Sequence, residues 1–349
     1  MHVLVTGARG FLGRYVVAAL IKSGHQVRGV SRRVVPDDLP GEASSTDQGF
    51  PNLSWVQADL TAAGEALAPI LQDIDAVVHL AAAMSGDFET QRVNTVVATE
   101  NLLAAMQLKG IARLVAVSSF SVYDYQAVAV GTVLDETSPL DSRSGQCSTY
   151  TQMKLLQEDA VRVFEAAGGQ ITLVRPGMIY DREHLFNAFL GTRLPGNLWV
   201  RIGRSAQLPM AYAGHCAEVI IQSLDNENAV GQVLNVVDDD LPDQETYTRL
   251  FTATQEKRMG TLVIPWRLMD ALSSGVWRLH QWLSIPVRLP GLLVPASLHA
   301  RCKPIQYSNS KVKQLLNWTP TYDLARAIAL SPPPLQPVSH SQTVESVES

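Results

Sequence analysis

Cysteine is scarce in this sequence, and its spacing does not suit disulfide or zinc chemistry. The 349 residues include three cysteines, Cys147, Cys216 and Cys302, which lie far apart and form no C-x-x-C pair. A disulfide framework needs an even set of cysteines, and a structural zinc site needs paired ligands. The sequence predicts neither and we expect no metal. A reducing, cytoplasmic location suits this composition best.

An excess of positive charge and long apolar runs are also missing. Lys and Arg number 28 against 33 Asp and Glu, a net charge of −5, which disfavours nucleic acid as a partner. No run of about 18 uninterrupted apolar residues occurs, so no transmembrane helix is predicted. The N-terminal MHVLVTGARGFLG lacks the long apolar core of a signal peptide and is predicted to form a first strand.

The chain does have a high apolar content and a regular pattern in its first half. Hydrophobic residues make up 46 % of the sequence, which is enough for a large core. Helical patterns alternate with short apolar runs at 2–6, 25–30, 53–57, 76–80, 113–119 and 171–176. This alternation predicts an α/β fold with a doubly wound parallel sheet.

The alternation ends after residue 176. Helical patterns at 214–224 and 244–254, with a short strand at 232–237, predict a smaller mixed C-terminal lobe. We therefore predict an N-terminal domain at 1–176 and a substrate-binding lobe at 177–330, with some strands and helices returning to the core. A surface loop is predicted at 36–51, and a disordered tail at 331–349.

A glycine-rich segment, TGARGFLG at 6–13, follows the first strand and opens a helical pattern. Gly7, Gly10 and Gly13 allow the backbone to turn tightly and approach a pyrophosphate, whose charge the helix N-terminus binds. The alternative to phosphate binding is that the glycines serve only a tight turn with close helix packing. The strand–turn–helix context favours a phosphate-binding loop, which makes the N-terminal domain a dinucleotide-binding one.

Basic residues stand where an acidic residue would favour NAD. About 20 residues beyond such a loop, an acidic side chain commonly binds the adenosine ribose hydroxyls. Here the second strand ends in Ser31, Arg32 and Arg33, and Arg9 lies inside the glycine turn. Guanidinium groups suit a ribose 2′-phosphate, so NADP(H) is favoured and NAD(H) is the alternative. In the plain reading, Arg32 and Arg33 are solvated loop charges.

Tyr150 and Lys154 have the spacing of an acid–base pair. They lie at i and i+4 in a helical pattern, which places the phenol and the ammonium on one face. A lysine charge stabilises phenolate, so Tyr150 is a candidate general acid or base. Ser119 follows a predicted parallel strand, at the sheet edge where ligands bind, and its hydroxyl could hold a substrate oxygen.

These motifs together resemble the extended short-chain dehydrogenases/reductases, the NAD-dependent epimerase/dehydratase family. That group includes dihydroflavonol-type reductases, 3β-hydroxysteroid dehydrogenases and sugar-nucleotide epimerases. The similar segments are TGARGFLG at 6–13, DL at 59–60, HLAA at 79–82, Asn94 with TENLL at 99–103, SFSVY at 119–123, YTQMK at 150–154 and RPGMIY at 175–180. The resemblance covers about residues 1–320 and implies a Rossmann-type fold.

The resemblance implies roles for the catalytic candidates. Tyr150 would be the acid/base, Lys154 would bind the nicotinamide ribose and tune Tyr150, and Ser119 would orient the substrate oxygen. Ser118 and Ser121 are alternatives to Ser119.

A further catalytic assignment and the cofactor contacts also come from the resemblance. Asn94 would support the lysine through backbone and water contacts, and its alternative is a helix-start cap. The implied cofactor-binding residues are Gly7, Arg9, Gly10, Phe11, Leu12, Gly13, Ser31, Arg32, Arg33, Asp59, Leu60, Leu80, Ala81, Ala82, Tyr150, Lys154, Pro176 and Met178.

The chain departs from the family pattern at several points. Asp124 and Asp181 follow tyrosines where the family commonly has glycine, and we expect them to reshape the substrate mouth. His215 and Cys216 lack an oriented partner, which favours packing and helix capping over a reactive pair. The R-x-G-D run of many sugar-nucleotide enzymes is replaced by RCKP at 301–304.

Residues 257–303 carry seven basic residues against one acidic residue, a net charge of +6. An amphipathic helix is predicted there by apolar residues at helical spacing, Leu268, Leu272, Val276, Leu279 and Leu283. The plain interpretation is a helix packed on the small lobe over the substrate pocket, followed by a lid at 287–298. The alternatives are peripheral membrane contact through 264–298 and a binding surface for a pyrophosphate-bearing substrate.

Three functions are compatible with these residues. The first is an NADP(H)-dependent oxidoreductase that moves hydride between the nicotinamide and a carbonyl or secondary alcohol on a small, largely apolar molecule. The second is a sugar-nucleotide epimerase or dehydratase that retains NAD. The third is a non-catalytic dinucleotide-binding sensor or scaffold, which would not need the Ser119, Tyr150 and Lys154 set. The resemblance also implies a homodimer formed through the helices around Asn94 and Tyr150.

Overall fold

The computed structural model describes residues 1–33, 52–142, 147–185, 192–194, 198–253, 260–284 and 289–330. The predicted loop at 36–51 and the predicted tail at 331–349 lie outside these residues. The strands are β1 (His2–Thr6), β2 (Gln26–Ser31), β3 (Leu53–Gln57), β4 (Ala76–His79), β5 (Arg113–Val117), β6 (Val133–Leu134), β7 (Gln170–Pro176), β8 (Met178–Tyr180), β9 (Thr192–Leu194), β10 (Leu198–Ile202), β11 (Met210–Tyr212), β12 (Val233–Val236), β13 (Gly260–Ile264) and β14 (Gln306–Tyr307).

Helices connect these strands on both sides of the sheet. They are α1 (Phe11–Lys22), α2 (Gly64–Leu67), α3 (Phe88–Arg92), α4 (Ala98–Lys109), α5 (Thr149–Ala166), α6 (Ala213–Asp225), α7 (Gln244–Ala253), α8 (Trp266–Leu283), α9 (Pro295–Cys302), α10 (Ser310–Leu316) and α11 (Leu324–Ala329). A π-helical turn at Val93–Val97 joins α3 to α4.

Within the described residues, seven parallel strands form the central sheet in the order β3-β2-β1-β4-β5-β7-β12. Alternate residues of one strand enter different cores. Val3 and Val5 of β1 pack with α1 and α6, whereas Leu4 packs with α4 and α5. Both faces of the sheet are therefore covered, and the predicted Rossmann-type fold is confirmed.

The order of the strands reverses between β1 and β4. In open parallel sheets, the crevice at the carboxyl ends of the strands at such a point is the usual ligand site. The glycine turn after β1 and the HLAA segment after β4 meet there, because Leu80 N–H donates to Thr6 O at 3.3 Å. The fold thus brings two of the predicted cofactor segments together.

Two elements predicted in the second half of the chain return to the N-terminal core: one is a strand of the main sheet and the other is a helix packed on it. Strand β12 pairs with β7 in the register Val233 to Leu173 and forms an edge of the sheet. Helix α6 packs on α1 across the same core. The smaller lobe contains the strand set β13-β10-β9 and the helices α8 and α9. The exact boundary at residue 176 remains a prediction.

Candidate active site

The glycine turn has the shape of a phosphate cradle. Gly7 has a φ of +66°, and a Cβ there would lie 3.0 Å from Ala81 N. A Cβ on Gly13 would collide with the backbone of Gly7 and Ala8. Helix α1 begins after Gly10 without a side-chain cap, so its first N–H groups are available to an anion. These features fit the pyrophosphate of a dinucleotide.

A cavity of about 710 Å³ extends from this turn to the end of β2. Predicted cofactor residues on its wall are Gly7, Arg9, Gly10, Ser31, Arg32, Arg33, Asp59, Leu60, Ala81 and Ala82. Other predicted contacts lie elsewhere: the Leu12 side chain is buried in the core, Phe11 stacks on His184 at 4.1 Å, and Pro176 is the buried end of β7.

Arg32 and Asn94 meet at the edge of this cavity. The Arg32 guanidinium donates to Asn94 Oδ1 at 3.1 Å, and Asn94 Nδ2 donates to Thr90 O at 2.9 Å. These contacts direct the Asn94 side chain toward the basic end of β2, and support of Lys154 through backbone and water contacts stays a prediction. The helix-cap alternative is wrong, since Asp87 caps α3 by accepting from Thr90 N–H at 2.8 Å.

Asp59 also lies beside Arg32. Its carboxylate accepts from the Thr61 N–H at 3.0 Å and from the Thr61 hydroxyl at 2.9 Å. The Thr61 hydrogen bonds, with a smaller contribution from the Arg32 charge, hold the pKa of Asp59 below its usual range. Asp59 is therefore an ionised turn residue on the wall of the cavity.

Two of the predicted catalytic side chains, Ser119 and Tyr150, meet where β5 ends and α5 begins, and Lys154 follows one turn later on α5. Ser148 caps α5 by accepting from Thr151 N–H at 3.1 Å, which fixes Tyr150 in the first turn. Burial raises the pKa of Tyr150, and a hydrogen bond with the Ser119 side chain acts in the opposite direction. The Lys154 ammonium donates to Val117 O, at the end of β5, at 2.8 Å.

The alternatives to Ser119 are placed differently. The Ser118 side chain is buried and its hydroxyl has no hydrogen-bond partner within the described chain. Ser121 reaches the same cavity wall as Ser119 and Tyr150, but its hydroxyl is likewise buried and unpaired among the described residues. Among the described residues, Ser119 is the one of these three serines that hydrogen-bonds to Tyr150.

Lys154 is held by a buried polar network that sequence reasoning did not assign. Its ammonium donates to Gln157 Oε1 at 2.8 Å, and Gln157 Nε2 donates to Thr99 Oγ1 at 2.9 Å. His79 lies against both, with Nε2 2.8 Å from Thr99 Oγ1 and 3.1 Å from Gln157 Nε2. The sequence feature that could have indicated this contact is the i, i+3 spacing of Lys154 and Gln157, which places both side chains on one helix face.

The charge of Lys154 is strongly affected by this environment. Burial lowers the pKa of Lys154 to about 8, although the Glu158 carboxylate favours the charged form. Burial, helped by the Lys154 charge, also lowers the pKa of His79 to about 3, so His79 is neutral near pH 7. The Lys154 ammonium held by this network therefore has a pKa close to neutral pH.

Arg175, the first residue of the RPGMIY segment, is structural. Its guanidinium makes two hydrogen bonds with the Glu158 carboxylate, at 2.8 and 2.6 Å, and a third to the Tyr123 hydroxyl at 3.1 Å. The side chains of Arg175, Glu158 and Tyr123 are all buried. This pair ties α5 to β7 and holds the wall behind Lys154.

A second cavity, of about 580 Å³, opens beside Ser119 and Tyr150. It shares Met84 with the dinucleotide cavity, so the two are adjacent. Its wall includes the apolar groups of Phe120, Tyr123, Tyr125, Met178, Pro209, Ala296 and Ala300, together with Asp124 and Arg301. Asp124 thus lies where we expected it, at the substrate mouth, and Met178 faces this cavity.

Asp181 does not line this cavity in the described structure; it lies at α1. Its buried carboxylate accepts from the Tyr15 hydroxyl at 2.9 Å, from Arg14 at 3.3 Å and from the His184 backbone at 2.9 Å. Its burial would raise the pKa of Asp181, but hydrogen bonds, chiefly from His184 and Tyr15, lower it. The expectation that Asp181 reshapes the substrate mouth is therefore wrong, because Asp181 anchors the 181–185 segment over the glycine turn.

His215 and Cys216 are packing residues. His215 accepts from Tyr322 N–H at 3.1 Å through Nε2, so its Nδ1–H donates to Asp238 at 2.7 Å. Both side chains are fully buried, and burial raises the pKa of the Cys216 thiol well above its usual value. This arrangement agrees with the packing interpretation.

The C-terminal lobe covers the substrate cavity through α9 rather than α8. Ala296, Ser297, Ala300 and Arg301 of α9 line it, whereas α8 packs behind α9 through Met269 and Leu298. The expected lid at 287–298 is described from residue 289 and forms a short 3₁₀ turn and the start of α9. The described residues include no helix long and apolar enough to cross a membrane.

Comparisons with known proteins agree with this geometry. Residues 3–236 match the NAD dependent epimerase/dehydratase family. A 3-beta-hydroxysteroid dehydrogenase of Mycolicibacterium neoaurum is 27 % identical over 348 residues, covering 94 % of this chain and 89 % of that protein. A 3 beta-hydroxysteroid dehydrogenase/Delta 5-->4-isomerase of Mycobacterium tuberculosis is 28 % identical over 345 residues, covering 94 % and 88 %.

Solved structures show the same fold. A short-chain dehydrogenase/reductase superfamily protein from Agrobacterium tumefaciens, solved with NAD, superposes with a TM-score of 0.67 at 20 % identity. That alignment covers 94 % of this chain and 95 % of the other. The family match covers more than half of the chain and contains the glycine turn, Ser119, Tyr150 and Lys154. The chain belongs to the NAD dependent epimerase/dehydratase family and is an NAD(P)-dependent enzyme of the extended short-chain dehydrogenase/reductase type.

Proposed function

We propose that this enzyme is an NADP(H)-dependent oxidoreductase acting on a carbonyl or secondary alcohol of a small, largely apolar molecule. The observation that carries the proposal is the position of Ser119 and Tyr150. They lie on the wall of the 580 Å³ cavity, and Met84 separates that cavity from the dinucleotide cavity. A substrate oxygen at these hydroxyls would lie close to a bound nicotinamide.

The side chains have complementary roles in this reaction. A bound nicotinamide dinucleotide supplies or accepts the hydride. Ser119 holds the substrate oxygen, and Tyr150 donates a proton to it during reduction or removes one during oxidation. Because burial raises the pKa of Tyr150, the phenol holds its proton at neutral pH in the dinucleotide-free protein. Lys154 stabilises the phenolate by charge.

The preference for NADP(H) rests on the end of β2. Ser31, Arg32 and Arg33 lie on one wall of the dinucleotide cavity, and no acidic residue ends the strand. Asn94 orients Arg32 by accepting from its guanidinium. An Arg–phosphate pair makes strong, directional hydrogen bonds, so this corner suits a ribose 2′-phosphate. We therefore assign the Asn94 side chain a positioning role at the cofactor, in addition to the predicted support of Lys154 through backbone and water contacts.

The cavity and the relatives support an apolar, ring-based substrate. Its volume falls within the range of about 300–1,000 Å³ that binds small molecules. Phe120, Tyr125 and Met178 supply apolar walls near the catalytic hydroxyls. The two relatives described above, each aligned with 94 % of this chain, are named as steroid dehydrogenases. We therefore propose an alicyclic alcohol or ketone of steroid-like size as the substrate class.

A second candidate has one specific observation in its favour. Arg301 places a guanidinium on the wall of the substrate cavity, where it could pair with the pyrophosphate of a sugar nucleotide. An epimerase or dehydratase of that kind would use the same Ser119, Tyr150 and Lys154 and would regenerate NAD in each turnover.

Turnover assays distinguish these candidates. NADPH oxidation should be seen with alicyclic ketones, and NADP⁺ reduction with the matching alcohols. Tyr150→Phe should lower the rate by about 10²- to 10⁴-fold. The control is Tyr322→Phe, which removes the hydroxyl of an exposed tyrosine outside both cavities. Conversion of UDP-sugars without net NADPH consumption would establish the second candidate instead, and full activity of Tyr150→Phe would remove Tyr150 from the chemistry.

We also propose a homodimer formed through α4 and α5. Leu156 and Val163 of α5 and Leu108 of α4 are exposed in the isolated chain, and such apolar groups commonly mark an interface. Light scattering should give twice the chain mass of 38.0 kDa. Val163→Glu should reduce that value to the mass of one chain, and a wild-type protein of single-chain mass would contradict the dimer.

A further inference from the structure

Helix α8 carries a stripe of large apolar side chains that face solvent. Its members are Leu268, Leu272, Leu279, Trp282 and Leu283. Trp282 is 79 % exposed and Leu268 is 62 % exposed, although such side chains normally lie inside a protein. The spacing of four, seven, three and one residues places all five on one face of the helix.

The stripe is separate from the contacts that hold α8 in place. On the opposite face, Met269 and Ser273 are buried, and Met269 packs with Leu298 of α9. Asp270 also accepts a hydrogen bond from His299 of α9 at 2.7 Å. Because these contacts secure the helix, the exposed leucines and Trp282 are not needed for packing within the described chain.

Positive charge accompanies the stripe. Arg267 and Arg278 are exposed on α8 beside it, and residues 257–303 have a net charge of +6 in a chain whose total is −5. Two copies of this chain meeting through the stripe would bring like charges together, which disfavours self-association. An anionic surface with an apolar interior complements both features.

We propose that α8 docks on the surface of an anionic lipid bilayer. The helix lies in the plane of the interface, with Leu268, Leu272, Leu279, Trp282 and Leu283 among the acyl chains and headgroups. Arg267 and Arg278 contact the lipid phosphates. Trp, Leu and Arg together are typical of helices that lie in such an interface without crossing it.

Vesicle flotation with the full-length protein tests the docking without measuring catalysis. We expect the protein to float with vesicles of phosphatidylcholine containing phosphatidylserine, and much less with phosphatidylcholine alone. Leu272→Ser with Leu279→Ser should reduce the bound fraction at least tenfold. Arg267→Gln with Arg278→Gln should remove most of the dependence on phosphatidylserine. The matched control, Val130→Ser with Val133→Ser, changes two exposed valines outside α8 and should bind as the wild type does.

Three results would overturn the proposal. The first is that the protein floats with neither vesicle, and the second is that the leucine variant floats as well as the wild type. The third is a soluble oligomer that the leucine variant dissociates in light scattering, which would assign the stripe to a second copy of the chain. The changed side chains are exposed, so an unaltered melting temperature should accompany the loss of binding. Failure of the turnover assays would leave the flotation result intact.

Discussion

The Lys154 ammonium donates a hydrogen bond to Gln157 Oε1 at 2.8 Å, within one turn of α5. Both groups are buried, and Gln157 is fixed in turn by Thr99 Oγ1 at 2.9 Å. The orientation of the amide is therefore set by α4, and the lysine is positioned by two helices and the end of β5. The Asn94 side chain bonds instead to Arg32.

Replacing Gln157 should impair catalysis through Lys154. In Gln157→Leu the ammonium loses one buried acceptor, so we expect kcat to fall about tenfold, the worth of one hydrogen bond to a charged group. The pH–rate profile should also shift, since the charged form of Lys154 is less favoured. Gln107→Leu, an exposed position on α4, is the control. A lower kcat with an unchanged pH profile would indicate a purely structural role.

The buried charge of Lys154 should make stability depend on pH. Its pKa is about 8 in the folded protein and about 10.4 in an unfolded chain. Between these values the folded state releases its proton first, so the cost of burying the charge is fully present below pH 8 and disappears as the pH rises through 10.4. The stability of the wild type relative to Lys154→Met should therefore rise by about 3 kcal/mol across this window.

Urea unfolding of the dinucleotide-free protein at several pH values would measure this difference. Comparing the two proteins at each pH cancels the titration of all other groups that the substitution leaves unchanged. A difference that does not vary between pH 8 and 10.4 would show that the pKa of Lys154 is not lowered.

The glycine turn should be intolerant of a side chain at Gly13. A Cβ there would lie 2.7 Å from Ala8 C and would also collide with Gly7 O, so Gly13→Ala must move the turn. We expect a loss of stability of about 1–3 kcal/mol and at least tenfold weaker NADPH binding. Gly275→Ala is the control: a Cβ at this helical position meets nothing within 4 Å, and stability should rise by up to about 1 kcal/mol. Equal NADPH affinity in the two variants would argue against the cradle.

Arg32 should determine the choice between NADPH and NADH. Arg32→Ala removes a charged donor from the dinucleotide cavity, so the affinity for NADPH should fall about tenfold or more while that for NADH changes little. Asn94→Ala should produce a smaller change in the same direction, because it frees the guanidinium. Arg326→Ala, an exposed arginine on α11, controls for net charge. Fluorescence titrations would measure these affinities, and an unchanged ratio in Arg32→Ala would refute the NADP(H) preference.

The sheet could be predicted from the sequence because its strands are local features. β1, β4 and β5 are short apolar runs buried on both faces, each bounded by a turn or a helix, so their pattern identifies them without neighbours. The position of β12 was harder to predict, because its pairing with β7 depends on a connection that passes through the small lobe. Apolar pattern alone does not state which sheet a strand joins.

The site was predictable to the extent that its residues lie in contiguous motifs. The glycine turn and the Tyr150–Lys154 pair each occupy one segment, and the structure places Ser119 beside Tyr150. The partners of Asn94 and Gln157 come from other strands and helices, so their roles became visible only when β2 and α4 were in place. The sequence also could not show whether α8 or α9 covers the substrate cavity, because either of two neighbouring helices could do so.

The central claim is that the enzyme exchanges NADP(H) with solution and carries out net oxidation or reduction. The most direct test is to denature freshly purified, dialysed protein and quantify the released dinucleotide by mass spectrometry. The account predicts an empty site, or a fraction of NADP(H) that exchanges when labelled NADP⁺ is added. Near-stoichiometric NAD that survives dialysis would contradict it and would favour an enzyme that regenerates its cofactor within each turnover.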